Sequence, residues 1–82
     1  GRKYLIDELD KNNIIYNGTS NYLLNIKIDN EEICDQICNS LDEKYIYVRN
    51  CNKYISITIG PINYMKIFFN NFINYFKLNI IN

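Results

Sequence analysis

The sequence predicts an α+β fold, in which a small open sheet of three main strands has helices packed on one face. Two observations predict this fold. Apolar and polar residues alternate in several short segments, which is typical of strands with one buried face. Around these segments apolar residues recur at helical spacing, which is typical of amphipathic helices. With 82 residues, 48% of them hydrophobic, the chain is expected to form a single domain (residues 1–82) with one core.

The first half of the chain predicts a helix, a short strand and a longer strand. Residues 3–11 have apolar side chains at helical spacing, and the pair Asn12 and Asn13 is expected to end that helix. Residues 14–16 predict a short strand, and residues 17–20 predict a turn. From residue 22 to residue 28 the pattern alternates, and one face of this strand is formed by Leu24, Ile26 and Ile28.

The second half predicts a helix, two strands and a last helix. Asp29 or Asn30 is expected to cap the second helix, whose apolar stripe comprises Ile33, Cys34, Ile37, Cys38 and Leu41. Residues 45–49 predict a strand with a buried side formed by Ile46 and Val48. Residues 55–59 predict another, with a core side formed by Ile55, Ile57 and Ile59. Gly60 and Pro61 are expected to open the last helix, whose buried side comprises Ile62, Met65, Phe69, Phe72, Ile73 and Phe76.

The alternation also predicts a polar and aromatic sheet face on the side opposite the helices. Its expected members are Asn25, Lys27, Tyr45, Tyr47, Arg49, Ser56 and Thr58. Such a face is either solvated or packed on another body. The chain begins with Gly1 and its only methionine is Met65, so we expect a piece cut from a longer protein. The missing part is then the natural candidate to cover this face.

Composition and motifs argue against several classes of function. Nine basic and nine acidic residues cancel, which argues against binding to nucleic acid or to an anionic membrane surface. The uncharged, apolar-rich stretch at residues 67–76 is too short and too polar to span a bilayer. There is no histidine, so catalytic triads are excluded, and no phosphate-cradling glycine loop is present. Three cysteines without a secretion signal are typical of reduced thiols, so we expect a cytoplasmic protein without a metal site.

Four segments, in order along the chain, resemble motifs of fold type I pyridoxal-phosphate enzymes. Residues 17–24, NGTSNYLL, resemble the "S-x-A-N-F-L-L" segment of the histidinol-phosphate aminotransferase family. Residues 45–49, YIYVR, resemble that family's "G-I-x-V-R" strand. Residues 55–60, ISITIG, resemble its "L-R-I-T-V-G" strand, which a C-terminal helix follows in both cases. Residues 49–54, RNCNKY, are more similar to the "R-x-C-x-N-Y/F" segment of threonine-phosphate decarboxylases.

The resemblance implies that this chain is the C-terminal small domain of a larger enzyme. In that family the large domain contains the lysine, the aromatic ring and the aspartate that bind pyridoxal 5'-phosphate, and their motifs are absent here. The small domain closes over a small-molecule amino substrate and supplies arginines for its anionic group. The implied partners are therefore the large domain of the same enzyme, a second copy in a homodimer, and the substrate. The chain alone is expected to catalyse nothing.

Three positions carry the expected site. Arg49 matches the arginine of the "V-R" strand, which implies that it binds the substrate anion; a solvated arginine at a strand end is the alternative. Asn21 matches the family asparagine, interpreted as ordering the local backbone; an ordinary turn residue is the alternative. Ser56 replaces the arginine of the "L-R-I" strand, and serine has no guanidinium fork. A divergent specificity, a loss of activity or an incomplete chain would each explain this replacement.

Two classes of function stay open at this point. The first is an enzyme domain for transamination of a phosphorylated or carboxylated amino compound, or for the related decarboxylation of a phosphorylated amino acid. The second is a freestanding ferredoxin-like interaction or ligand-binding module, whose surface would include Tyr45, Tyr47 and Arg49. RNA binding is disfavoured, since the chain lacks the aromatic strand motif and the basic surroundings that such sheets use.

Overall fold

A computed structural model describes residues 1–18 and 20–78 of the chain. In chain order the elements are α1 (Arg2–Lys11), β1 (Tyr16–Asn17), β2 (Leu23–Lys27), α2 (Glu31–Glu43), β3 (Arg49–Asn50), β4 (Tyr54–Thr58) and α3 (Ile62–Phe76). This order confirms the predicted α+β class. None of these helices in the described part of the chain is long and apolar enough to cross a membrane.

The strands form an antiparallel sheet in the order β1-β2-β4-β3. Its centre is the pair of five-residue strands β2 and β4, in register from Leu23 opposite Thr58 to Lys27 opposite Tyr54. The edges β1 and β3 have two residues each. This confirms the predicted small open sheet with helices on one face, although the strand expected at residues 45–49 contributes only the two-residue edge β3. Short edge strands present few unpaired backbone groups.

One apolar core lies between the helices and one face of the sheet, which we call the back face. On the sheet this face consists of Leu24, Ile26, Ile55 and Ile57, each at most 1% exposed. They pack in a single cluster with buried side chains of all three helices, including Leu5, Leu9, Ile37, Leu41, Phe68 and Phe72. In α3 the ring of Phe72 lies 5.4 Å from that of Phe68 and 5.5 Å from that of Phe76, centroid to centroid. The helices thus cover the predicted face.

Two details of the predicted α3 core are corrected. Phe68 is fully buried although the sequence pattern did not include it, and Ile62 is 46% exposed although it was expected inside. Ile62 is the first residue of the helix, beyond the end of the buried stripe that begins at Met65. Met65, Phe69, Phe72 and Phe76 are buried as predicted, whereas Ile73 is only half-buried.

The caps of α1 and α2 explain where these helices begin and end. Asn30 caps α2 as predicted, since its side-chain oxygen accepts a hydrogen bond from the Ile33 amide at 3.0 Å. Both helices end in the same reversal: Ile14 donates to the Leu9 carbonyl and Ile46 donates to the Leu41 carbonyl, each at 3.0 Å. This pattern is the Schellman motif, in which the residue before the last donor takes the left-handed conformation.

The strands predicted at residues 14–16 and 45–49 begin later than predicted, because the two helix ends occupy their first residues. Residues 45–48 were predicted as strand, but Tyr45 has φ 61° and completes the end of α2, so β3 begins only at Arg49. Ile46 is buried because it follows the helix end, and not because it belongs to a strand. Likewise, Ile14 completes the end of α1, and of the predicted strand 14–16 only Tyr16 lies in β1.

Candidate functional site

The sheet face opposite the helices, which we call the front face, carries a polar row across all four strands. Asn17 of β1 lies opposite Asn25 of β2, Asn25 lies opposite Ser56 of β4, and Ser56 lies opposite Arg49 of β3. Directly opposite residues of antiparallel strands have Cβ atoms about 4.5–5.5 Å apart. We call these four residues the front row, and they form a continuous strip of hydrogen-bonding groups.

The charge of the front face differs from that of the whole chain. No strand contains an acidic residue, and the two strand cations, Lys27 and Arg49, both lie on the front face by the alternation of each strand. The nine acidic residues lie on α1, on α2 or in the loop before α2: Asp7, Glu8, Asp10, Asp29, Glu31, Glu32, Asp35, Asp42 and Glu43. A chain without net charge therefore has a cationic front face, which favours anionic ligands.

Arg49 is the residue of this face that is best placed to bind an anion. Its side chain is exposed at the edge strand, and within residues 1–18 and 20–78 the guanidinium forms no ion pair or hydrogen bond. The ion pair found in that part of the chain joins Lys11 and Glu8, at 3.4 Å between Nζ and Oε1. The guanidinium of Arg49 therefore keeps its donors for a carboxylate or a phosphate, which it can bind in a bidentate way.

Ser56 lies in the front row as predicted, but it is buried and not exposed. Its side chain is only 8% exposed, because it is short and lies on a central strand between Asn25 and Arg49. Its hydroxyl makes no hydrogen bond to another described residue, and no described side-chain oxygen is both unbonded and fully buried. Ser56 therefore lies low on the sheet beside the exposed side chain of Arg49.

Asn21 lies outside this row. It is exposed in the bend before β2, and the hydrogen bonds that order this bend come from its neighbour Ser20. The Ser20 hydroxyl accepts from the Tyr22 amide at 3.1 Å and from the Leu23 amide at 3.2 Å. The sequence signal for this bend is Ser20 itself, because a serine hydroxyl before a strand can accept hydrogen bonds from the amides two and three residues later.

The predicted aromatic part of the front face is corrected. Tyr45 and Tyr47 are 80% and 66% exposed, but both lie between α2 and β3 and neither belongs to a strand. Tyr54 is instead the aromatic residue of the front face, 38% exposed and directly opposite Lys27. Alternation within residues 54–58 would have found it, because Tyr54 lies two residues before Ser56.

The front face does not form a cofactor pocket by itself. A shallow cleft of about 240 Å³ opens at one end of the sheet, and it is lined by Asn13, Ile14, Ile15, Lys27, Ile28, Asp29 and Phe76. Pockets that enclose small organic ligands usually measure roughly 300–1,000 Å³. In the described residues no group of three or more His, Cys, Asp and Glu side chains is arranged to hold a metal ion. The cleft is smaller than that range, and we assign it no catalytic step.

The three thiols are free and take no part in the front row. Cys34 is buried, Cys38 is half-buried and Cys51 is exposed, so the predicted burial is correct for the first and wrong for the last. Burial, together with nearby acidic groups and thiols, raises the pKa of Cys34 and of Cys38 to about 11. Both are protonated at neutral pH and are therefore weak nucleophiles.

No protein-family model matches the chain, and neither curated proteins nor solved structures include a significant match. The resemblance to histidinol-phosphate aminotransferases therefore depends on the four short segments and on the order of the elements. The geometry of the front face is an independent observation.

Proposed function

We propose that this chain is the substrate-closing small domain of a pyridoxal-phosphate-dependent enzyme that resembles histidinol-phosphate aminotransferase. In this proposal the front face closes against a large domain of the same enzyme, and that domain binds the cofactor. Arg49 binds the anionic group of the amino substrate. The observation that carries the proposal is the unpaired Arg49 on a sheet face that the chain's own helices leave uncovered.

The charge distribution supports a role in binding rather than in stability. An arginine held by a structural ion pair would have a carboxylate as its partner, whereas Arg49 is paired with no described carboxylate. Asp35 of α2, which reaches β3, instead accepts a hydrogen bond from the Asn50 side chain. Ser56, directly opposite Arg49, and Asn25, one strand further, add uncharged donors near the guanidinium, so an anion bound there can be hydrogen-bonded on more than one side. Closure of a larger body over this face would remove water and strengthen these contacts.

Decarboxylation of a phosphorylated amino acid is the second reaction within the same proposal. The hairpin turn between β3 and β4 favours it, because Arg49, Cys51 and Tyr54 occupy the positions that resemble the threonine-phosphate decarboxylases. The Asn50 side chain orders this turn by accepting a hydrogen bond from the Asn52 amide at 3.0 Å. The turn thus holds Arg49 at the edge of the front face in either reaction.

We extend the proposal to the setting of the complete protein. Three free thiols are typical of a reducing compartment, so we place it in the cytoplasm. We also infer a homodimer, as in the enzymes that the chain resembles. Both inferences depend on the family resemblance more than on the geometry.

The test is to express the complete protein that contains this chain and to measure the visible absorbance of bound pyridoxal phosphate. We expect one bound cofactor per chain and turnover of a phosphorylated amino substrate. Arg49→Met should raise KM roughly 10- to 100-fold, since a hydrogen bond to a charged group contributes about 1.5–3 kcal/mol. Lys3→Met, which removes the same charge from the exposed side of α1, is the matched control and should leave KM unchanged.

Two results would contradict the proposal. A complete protein that purifies without the cofactor and does not take it up on addition would favour the freestanding binding module. An Arg49→Met enzyme with the KM of the Lys3→Met control would show that this arginine does not contact the substrate.

A further inference from the structure

We propose that Lys27 supplies a second positive charge to the anion site of Arg49, so that the front face prefers a group with two negative charges on one tetrahedral centre. This inference rests on the proposed function for the position of the site. It adds a residue that the sequence analysis did not include in the site, and a charge preference.

Lys27 of β2 and Arg49 of β3 lie on the two strands that flank β4, on the same face of the sheet. Lys27 lies directly opposite Tyr54, and Arg49 lies directly opposite Ser56, two residues further along β4. Strands are about 4.8 Å apart and rise about 3.3 Å per residue, so the Cα atoms of Lys27 and Arg49 are about 12 Å apart. Each side chain extends roughly 6 Å or more from its Cα atom. Both can therefore reach one group that stands between them on the sheet.

The ammonium of Lys27 has no partner among the described residues, although its backbone amide donates to the Ile15 carbonyl at 2.9 Å in the sheet. It forms no ion pair there, although Asp29 follows two residues later in the loop before α2. Asp29 lies beyond the end of β2, and its amide donates to the Lys53 carbonyl at 2.8 Å, as part of the turn. Lys27 is half-buried at the level of Tyr54, and its flexible stem leaves the ammonium free to move towards Arg49.

Charge matching then selects the class of ligand. A phosphoryl group carries about 1.5 to 2 negative charges near neutral pH, and its second pKa is about 6. One guanidinium leaves roughly half of that charge uncompensated, whereas Arg49 and Lys27 together neutralise it. A carboxylate or a sulfonate carries one charge and needs only Arg49. The hydroxyls of Ser56 and Tyr54 are neutral and bind either class.

The experiment is an NMR titration of the 82-residue chain at about pH 8 and low salt, because salt screens exposed charges. Methyl phosphate and methanesulfonate are the probes, since both are tetrahedral and differ by one charge. We expect the unchanged chain to bind methyl phosphate several-fold more tightly. Lys27→Met should abolish this preference and leave methanesulfonate binding unchanged. Arg49→Met should weaken both ligands, and Lys3→Met should weaken neither.

The outcomes separate this inference from the proposed function. If Lys27→Met keeps the preference for methyl phosphate while Arg49→Met weakens both ligands, the role of Lys27 is wrong and the Arg49 site stands. If Arg49→Met binds both ligands as the Lys3→Met control does, the anion site itself is wrong, and with it the proposed function.

Discussion

The two faces of the sheet are built from alternate residues of the same two strands, yet they have opposite properties. The back face consists of isoleucine and leucine side chains that are almost completely buried under the helices. The front face has no acidic residue, two cations and several uncharged polar groups. The comparison teaches that the stability of this chain comes from the back face, whereas its capacity to bind lies on the front face.

The largest expected effect distinguishes the two faces at neighbouring positions of β4. Ile57 is 1% exposed on the back face, whereas Thr58 is exposed on the front face. Ile57→Ala should lower the free energy of unfolding by roughly 2–5 kcal/mol, because it removes buried methyl groups and leaves a cavity. Thr58→Ala should change it by less than about 0.5 kcal/mol. Urea denaturation measures both, and equal effects would contradict the assignment of the faces.

A second prediction concerns the pH dependence of stability, and it tests the burial of Cys34 in the core behind the back face. Burial raises the pKa of Cys34 from 9.0 to about 11, so in the alkaline range the unfolded chain releases protons that the folded chain keeps. The contribution of the Cys34 thiol to the free energy of unfolding is therefore fully present below about pH 9, and it is lost as the pH rises through 11. The free energy of unfolding should fall from about pH 8 to about pH 10, and Cys34→Ala should reduce this fall.

Thr58→Ala is the control for this pH dependence. It removes no ionisable group, so it should leave the alkaline loss of stability as it is. An unchanged slope in Cys34→Ala would show that the buried thiol does not ionise on unfolding in this range. Tyr4 and Tyr16, whose pKa values are also raised by burial, contribute in the same direction above about pH 10.

A third prediction uses the two similar helix ends, where the chain turns from the helices towards the sheet. Asn13 and Tyr45 both have left-handed backbones, with φ of 57° and 61°. That conformation costs most residues about 1–2 kcal/mol, but asparagine tolerates it. Tyr45→Gly should therefore raise the free energy of unfolding by roughly 0.5–1 kcal/mol, and Asn13→Gly should change it by only a few tenths. Destabilisation by Tyr45→Gly would indicate that the Tyr45 ring makes contacts that its 80% exposure does not suggest.

The last prediction concerns binding at the front face more than stability. Ser56→Arg places a second guanidinium directly opposite Arg49, and like charges on neighbouring strands destabilise a sheet by up to about 1 kcal/mol. The same substitution should tighten methyl phosphate binding several-fold, because the side chain at position 56 then adds a second guanidinium beside Arg49. Binding unchanged by Ser56→Arg would show that β4 does not line the anion site.

The sequence was sufficient for the parts of the fold that depend on a repeating pattern. Alternation identified the buried faces of β2 and β4, helical spacing identified all three helices, and the preference of asparagine for helix starts identified the Asn30 cap. These features depend on residues that are close in sequence. Their physical causes are therefore visible in a single chain.

The errors occurred where tertiary contacts or backbone conformation override the pattern. Residues 45–48 alternate like a strand, but Ile46 is buried as part of a helix end, and this requires a left-handed tyrosine that few sequences use. The burial of Ser56 depends on its cross-strand neighbours Asn25 and Arg49, whose register no local pattern gives. Alternation placed Lys27 and Arg49 on the same face, but the distance between them depends on the same register, which the sequence alone does not give.

The most direct test of the central claim is a residue-by-residue map of amide chemical shifts as methyl phosphate is added to the chain. The account predicts that the largest changes occur on the front face, at Asn25, Lys27, Arg49 and Ser56, and that the helices change little. Changes confined to the helices or to the loops around them would contradict the claim that the front face is the binding surface.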